Sequence, residues 1–220
     1  MAIFARKTSK HAQDYISAAE SRKISRENRR ITDRIEKARN RKNVPPEEYI
    51  TTMRNPDNVA EFDNLHTYFF TDIGTVKAVD GVTFDIPQGK TVGVVGESGC
   101  GKSVTSLSLM QLVQRPQGQI VKGAIRVNTG EAVYDIAKTP TEAMQRIRGN
   151  YVSMIFQEPM TSLNPVFTIE EQIAEVIRRH LGGRERAIRA RGVELLAATG
   201  MADPARRYDD YPHQLSGGMK

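Results

Sequence analysis

The 220-residue chain has one cysteine, few histidines and no long apolar run, and each shortage removes a class of protein. A lone thiol, Cys100, forms no internal disulfide, so nothing in the cysteine content asks for an oxidising compartment. The four histidines, His11, His66, His180 and His213, are too scattered in sequence for metal-ligand spacing. No stretch approaches the roughly 20 consecutive apolar residues of a membrane-spanning helix. The opening MAIFARKTSK carries charge but no apolar centre, which makes it a poor secretory leader. The expectation is a chain that works in the cytoplasm, its 39% hydrophobic residues sufficient for one sizeable core.

Charge is plentiful, but it is unevenly placed. Of the net +6, all the excess lies in residues 1–60, which hold 14 Lys+Arg against 8 Asp+Glu; residues 61–220 hold 18 of each. The asymmetry predicts a basic N-terminal extension over 1–60 ahead of a charge-balanced domain over 61–220. Within the extension, SAAESRKISRENRRITDRIEKARNRKN has no Gly or Pro and is rich in helix formers, which predicts a long helix. Its apolar stripe, Ile24, Ile31, Ile35 and Ala38, is thin. Three uses fit: a solvated helix or partly disordered arm, a basic surface for a membrane or a partner, or a nucleic-acid arm, which would lack aromatic platforms. Val44-Pro45-Pro46 ends the helix and opens a linker reaching about Pro56.

The domain opens with strand-like alternation in AVDGVTFDIPQGKTVGVVGESGCGKS. Val79, Val82 and Phe84 are apolar, Pro87–Lys90 reads as a turn, and Thr91–Val95 reads as a short buried strand. Then come Gly96, Glu97, Ser98, Gly99, Cys100, Gly101, Lys102 and Ser103, followed by helix-like SVTSLSLMQLVQ. Strand, glycine loop and helix are the context that the phosphate-loop pattern G-x-x-x-x-G-K-[ST] requires. Glycines let successive N–H groups, through Val104, turn toward phosphate oxygens, and the helix adds the positive end of its dipole. Lys102 would serve the β- and γ-phosphates and the Ser103 hydroxyl would ligate Mg²⁺. Typical residue frequencies give about a 1% chance of an accidental match. Cys100 could in principle be an acidic nucleophile, but the arginine a cysteine phosphatase needs six positions on is Ser106 here, so it reads as a small residue in a tight loop.

Residues 151–169, YVSMIFQEPMTSLNPVFTI, show an apolar strand pattern ending at Gln157, then the helical EQIAEVIRRHL, and later YPHQLSGGM. The order phosphate loop, glutamine loop, LSGGM resembles an ATP-binding-cassette (ABC) ATPase. AVDGVTFDI, GESGCGKS, IFQEPMTSLNP and YPHQLSGGM together resemble the nucleotide-binding subunits of oligopeptide/dipeptide-type ABC importers. The resemblance covers 61–220 and not the extension. It implies an α/β fold: a P-loop (RecA-like) core with an antiparallel β subdomain and a helical subdomain over about 165–215, preceded by the basic helical extension.

The same resemblance assigns roles. Phe69, or failing it Tyr68, would stack on adenine, although both rings also read as core residues of a strand. Gln157 would reach Mg²⁺ and the attacking water and couple to the permease. Leu215, Ser216, Gly217, Gly218 and Met219 would form the signature that contacts the ATP held by a partner's phosphate loop. The family continues past LSGGM into a strand ending in Asp-Glu and then a switch histidine. The catalytic Glu is therefore expected outside these 220 residues, with the C-terminal part of the core, and the 220 residues alone would be nearly inactive. His213 precedes the signature and reads as structural. The implied partners are a second ABC ATPase subunit, two transmembrane permease subunits and, indirectly, an extracytoplasmic solute-binding protein, at the cytoplasmic face of the membrane, with ATP and Mg²⁺ as cofactors and no nucleic acid. Two alternatives stay open: a soluble ABC ATPase acting on nucleic acid or ribosomes, and a non-ABC phosphate-loop enzyme.

Overall fold

The computed structural model describes residues 16–156 and 162–220, so the opening MAIFARKTSK and Gln157 lie outside the described residues. The chain forms two compact units, Met1–Gln145 and Arg146–Lys220.

In the first unit the expected long helix, α1, runs Ala18–Arg39. It starts at a capping box: Ser17 Oγ accepts from the Glu20 amide at 3.2 Å while the Glu20 carboxylate accepts the Ser17 N–H at 3.1 Å. Five strands follow, β1 (Ile50–Thr51), β2 (Asn58–Thr71), β3 (Gly74–Pro87), β4 (Gly118–Asn128) and β5 (Val133–Asp135), with α2 (Lys102–Leu109) between β3 and β4. They make one antiparallel sheet in the order β1-β5-β4-β2-β3. The long β2 is its middle: Phe62 pairs with Phe84 of β3 and with Ile125 of β4. The Phe62 and Phe84 rings stack 4.2 Å apart, and Leu65, Ile125, Val127 and Ile136 fill the core beside them.

Polar groups are buried here too, Glu61 among them. Glu61 is fully buried, its carboxylate accepting the amides of Arg54 (3.0 Å) and Asn55 (2.8 Å) and the Asn58 side-chain amide (3.1 Å), with Arg126 3.6 Å away. Burial disfavours its charge, but those donors and the Arg54 guanidinium outweigh it and hold the carboxyl below its ordinary range.

The face of α1 toward the sheet is polar, and the expected apolar stripe contributes only part of it. Ser21 Oγ donates to the Asp72 carbonyl (3.0 Å), Ser25 Oγ to Asp72 Oδ1 (2.8 Å) and Asn28 Nδ2 to the Thr71 carbonyl (2.8 Å). Further along, Glu36 accepts from Gln119 Nε2 at 2.7 Å and pairs with Arg115 at 3.3 Å. Ile24, Ile31 and Ile35 are half-buried and Ala38 is exposed.

Two sequence expectations fail. Thr91–Val95 belongs to no strand, and its Val94 and Val95 are 52% and 91% exposed. Nor does the segment leading to Gln157 form a strand: it makes one isolated bridge, Arg148 to Val152, and Ile155 is 95% exposed. An apolar run becomes a buried parallel strand only when neighbours ladder to both of its edges. Among the described residues neither run has such neighbours, so apolar pattern alone did not make a strand.

Helix α3 (Thr141–Ile147) ends the first unit and enters the second, which is helical: α4 (Ile169–His180), α5 (Glu185–Ala198) and α6 (Pro204–Asp209). Thr168 and Glu171 close a capping box on α4, and the Ile169 amide donates to the Asp210 carbonyl at 2.9 Å. Ile169, Leu196, Tyr208 and Leu215 form one core cluster; Ala174, Ile177 and Ile188 form another. Tyr208 packs against Gly192, where any Cβ would strike the ring, so α5 carries glycine at mid-helix for close packing rather than flexibility.

Candidate functional site

The glycine loop sits where the sequence places it, at the entry to α2. Gly101 is the N-cap with φ 95°. A Cβ there would collide with the Ala78 carbonyl of β3, so only glycine allows this left-handed turn against a neighbouring backbone. The first intrahelical bond runs from the Thr105 amide to the Gly101 carbonyl at 2.9 Å, which leaves the earlier amides of α2, Lys102, Ser103 and Val104, as first-turn donors for an anion. Lys102 Nζ arches back over the loop and donates to the carbonyls of Gly96 (2.7 Å) and Glu97 (2.6 Å), 3.6 Å from Cys100 Sγ. The ammonium is therefore held at the loop mouth by neutral acceptors, which are weaker partners for it than a charged oxygen would be. Glu97, Ser98, Gly99 and Cys100 are exposed, as is Ser103. A hydroxyl at that place suits Mg²⁺, which takes one or two protein oxygens and fills its octahedron with phosphates and water. Among the described residues there is no group of three or more His, Cys, Asp or Glu that could hold a metal ion.

The loop is tied to the strand that carries the aromatic pair. Thr67 Oγ1 and Ser108 Oγ of α2, both fully buried, hydrogen-bond at 2.8 Å. That link left no signal in the sequence, since neither hydroxyl belongs to a motif. Phe69 is half-buried beside Val113 and Gly118; a Cβ on Gly118 would come within 2.8 Å of its ring. Tyr68 is engaged otherwise: its hydroxyl donates to Asp80 Oδ1 at 2.6 Å and the Lys77 ammonium stands 5.5 Å over its ring. His66 also reaches Asp80, at 2.8 Å. The bond to Asp80 raises the Tyr68 pKa, and the bonds from Tyr68 and His66 hold the Asp80 carboxyl below its usual range.

In the second unit the LSGGM stretch splits by direction. Leu215 is buried in the cluster with Ile169, Leu196 and Tyr208, and Met219 packs against the same cluster. Ser216, Gly217 and Gly218 between them are exposed, in a turn closed by the Met219 amide to the Ser216 carbonyl at 3.0 Å. Two apolar anchors thus hold a hydroxyl and two glycine backbones outward. His213 is exposed and stacks on Tyr211 at 5.6 Å, outside the anchored cluster.

Comparison with known proteins gives the family and the fold. Oligopeptide transport ATP-binding protein AppD of Bacillus subtilis is 50% identical over 160 residues, 73% of this chain and 48% of that protein. Dipeptide transport ATP-binding protein DppD of Escherichia coli is 43% identical over 157 residues, 71% of this chain and 46% of its own length. The chain spans about half the length of the curated relatives it matches. Among solved structures, the dimeric bacterial ABC transporter cassette MJ0796 superposes with TM-score 0.58 at 21% identity, covering 73% of this chain and 64% of that one, which establishes the cassette fold. The family model for ABC transporters matches residues 79–220, well over half of the sequence, and the chain belongs to that family.

Proposed function

We infer that the chain is the nucleotide-binding part of an ATPase subunit that energises an ABC importer for peptides or similar small solutes. The observation that carries this reading is the Gly96–Ser103 loop: a left-handed glycine opens α2, and Lys102 is held across the mouth by the Gly96 and Glu97 carbonyls and the Cys100 thiol, with no carboxylate among its partners. In this reading the loop amides and Lys102 hold the triphosphate of ATP, Ser103 and Gln157 serve Mg²⁺, and Phe69 stacks on adenine. The extension (1–60) is an addition to a cassette that begins near residue 61 and carries its helical part over about 165–215.

The outward turn at Ser216–Gly218 supports a composite site, because a hydroxyl and bare glycine backbones displayed by buried anchors suit a phosphate tail arriving from outside the chain. The donor of that ATP is a second cassette, the same or related. ATP-driven closure of the pair and hydrolysis then move two permease subunits, with Gln157 in the coupling loop; an extracytoplasmic solute-binding protein delivers the solute. The names of the relatives, oligopeptide and dipeptide transport ATP-binding proteins, support the solute class. No described helix is long and apolar enough to cross a membrane. In this reading the permeases hold the subunit at the cytoplasmic face.

The test is titration with a fluorescent ATP analogue and Mg²⁺. Lys102→Ala should weaken binding at least about tenfold, since charge-assisted contacts to phosphate are worth about 1.5–3 kcal/mol. Unchanged affinity would remove the phosphate-loop assignment.

A further inference from the structure

We propose that the outward face of α1 is a docking surface for an anionic phospholipid bilayer. Helix α1 has two unlike faces. Ser21, Ser25, Asn28 and Glu36 bind the β2–β3 turn and Gln119, which fixes the helix on the sheet. At 100° per residue, Arg22, Lys23, Arg26, Arg30, Arg34 and Lys37 fall within about 120° of circumference, centred about 140° from the docked residues. All six are exposed, and among the described residues none has a carboxylate within ion-pair distance. Asp33 lies in the same face but is paired with Arg29 at 3.7 Å. The row from Arg22 to Lys37 is about 22 Å long at 1.5 Å per residue.

The chemistry of that row selects its partner. Helix α1 contains no aromatic residue, so it offers nothing for a base to stack on. Between the cations the face carries only alanine as an apolar group, so an amphipathic partner helix would find no row to pack against. A flat array of anionic headgroups, by contrast, meets all six cations at once, because the docked face keeps the helix from rolling. The contact is electrostatic and peripheral: nothing on the face inserts into hydrocarbon. The choice of a membrane over another polyanion rests on the reading of the chain as a transporter subunit, which would already work beside a bilayer.

The experiment is flotation of the 220-residue chain with vesicles of 30% phosphatidylglycerol in phosphatidylcholine, against phosphatidylcholine alone. Binding to the anionic vesicles and its loss at high salt are expected. Each cation near the surface is worth about a fivefold change in partition, so Arg26→Gln with Arg30→Gln and Arg34→Gln should lower it about a hundredfold. The matched lysine triple should keep binding within about twofold, which separates charge from any loss of fold. Arg184→Gln with Arg186→Gln and Arg206→Gln, exposed cations of the other unit, should change it less than fivefold. Equal partition of the chain and the α1 glutamine triple would overturn the proposal. So would equal binding to neutral vesicles, or stronger binding to duplex DNA at the same phosphate concentration. Lys102→Ala should leave flotation untouched; weak ATP binding by the chain with flotation intact would defeat the nucleotide reading and leave this one standing.

Discussion

The two units of this chain bury different things. In the first, the interior includes charged and polar side chains: Glu61, Asp135, Gln119, and the Thr67–Ser108 pair. In the second, the described interior is aliphatic, with Tyr208 as its one buried side chain bearing a polar atom. An aliphatic interior gains by area and loses by cavity. A polar interior holds only while every partner is present and in the right protonation state. The same denaturing stress should therefore find the units vulnerable in different ways.

The largest effect should come from cutting a cavity into the second unit. Ile188 is 1% exposed and packs with Ala174 and Ile177 between α4 and α5. Ile188→Ala should cost about 2–5 kcal/mol. Hydrogen exchange would then quicken throughout α4–α6 while β2 and β4 keep their protection. Equal loss of protection in the sheet would mean that the two units do not fold independently.

Acid should do the reverse. Glu61 ionises more readily in the folded chain than at its ordinary value of 4.5, so the folded state binds fewer protons than the unfolded chain near that pH. The stability it contributes is complete above about pH 4.5 and is lost as pH falls through that value toward the lower folded one. Below it the sheet unit should open first, by about 1–3 kcal/mol for a buried group whose hydrogen-bond partners are stranded. Asp80 and Asp209 are held low as well, but at exposed sites where water screens the gain. Glu61→Gln should lower stability at neutral pH and flatten the acid dependence of β2 exchange. An unchanged slope would place the acid-sensitive group elsewhere.

The contrast also explains what could be read from the chain beforehand. The glycine turn into α2 and the turn at Ser216–Gly218 were legible because their shape is local: glycine spacing dictates backbone shape within a few residues. Helix α4 was legible because Ile169, Ile173, Ala174 and Ile177 repeat with the helical period. Thr91–Val95 and the run before Gln157 were misread because a buried strand is made by neighbours remote in sequence, which an apolar run does not contain. The seating of α1 was missed for a different reason. Serines and an asparagine at Ser21, Ser25 and Asn28 look like solvent-facing residues until Thr71 and Asp72 arrive from the β2–β3 turn.

The smallest predicted effect is the one with the less familiar sign. Tyr208 is fully buried, and its hydroxyl has no hydrogen-bond partner, although Arg189 lies 5.4 Å over the ring. Burial raises its pKa, as expected of a phenol kept from water. Its ring fills the space that Gly192 leaves, so the aromatic body is needed, but the oxygen was stripped of water without repayment. Tyr208→Phe keeps the ring and the cation above it and removes the orphaned group. It should leave stability unchanged or raise it by up to about 1 kcal/mol, read as a higher urea midpoint for α4–α6 exchange. A loss of more than about 1 kcal/mol would show that the hydroxyl is hydrogen-bonded in solution, and the second unit would then depend on a buried polar contact as the first does.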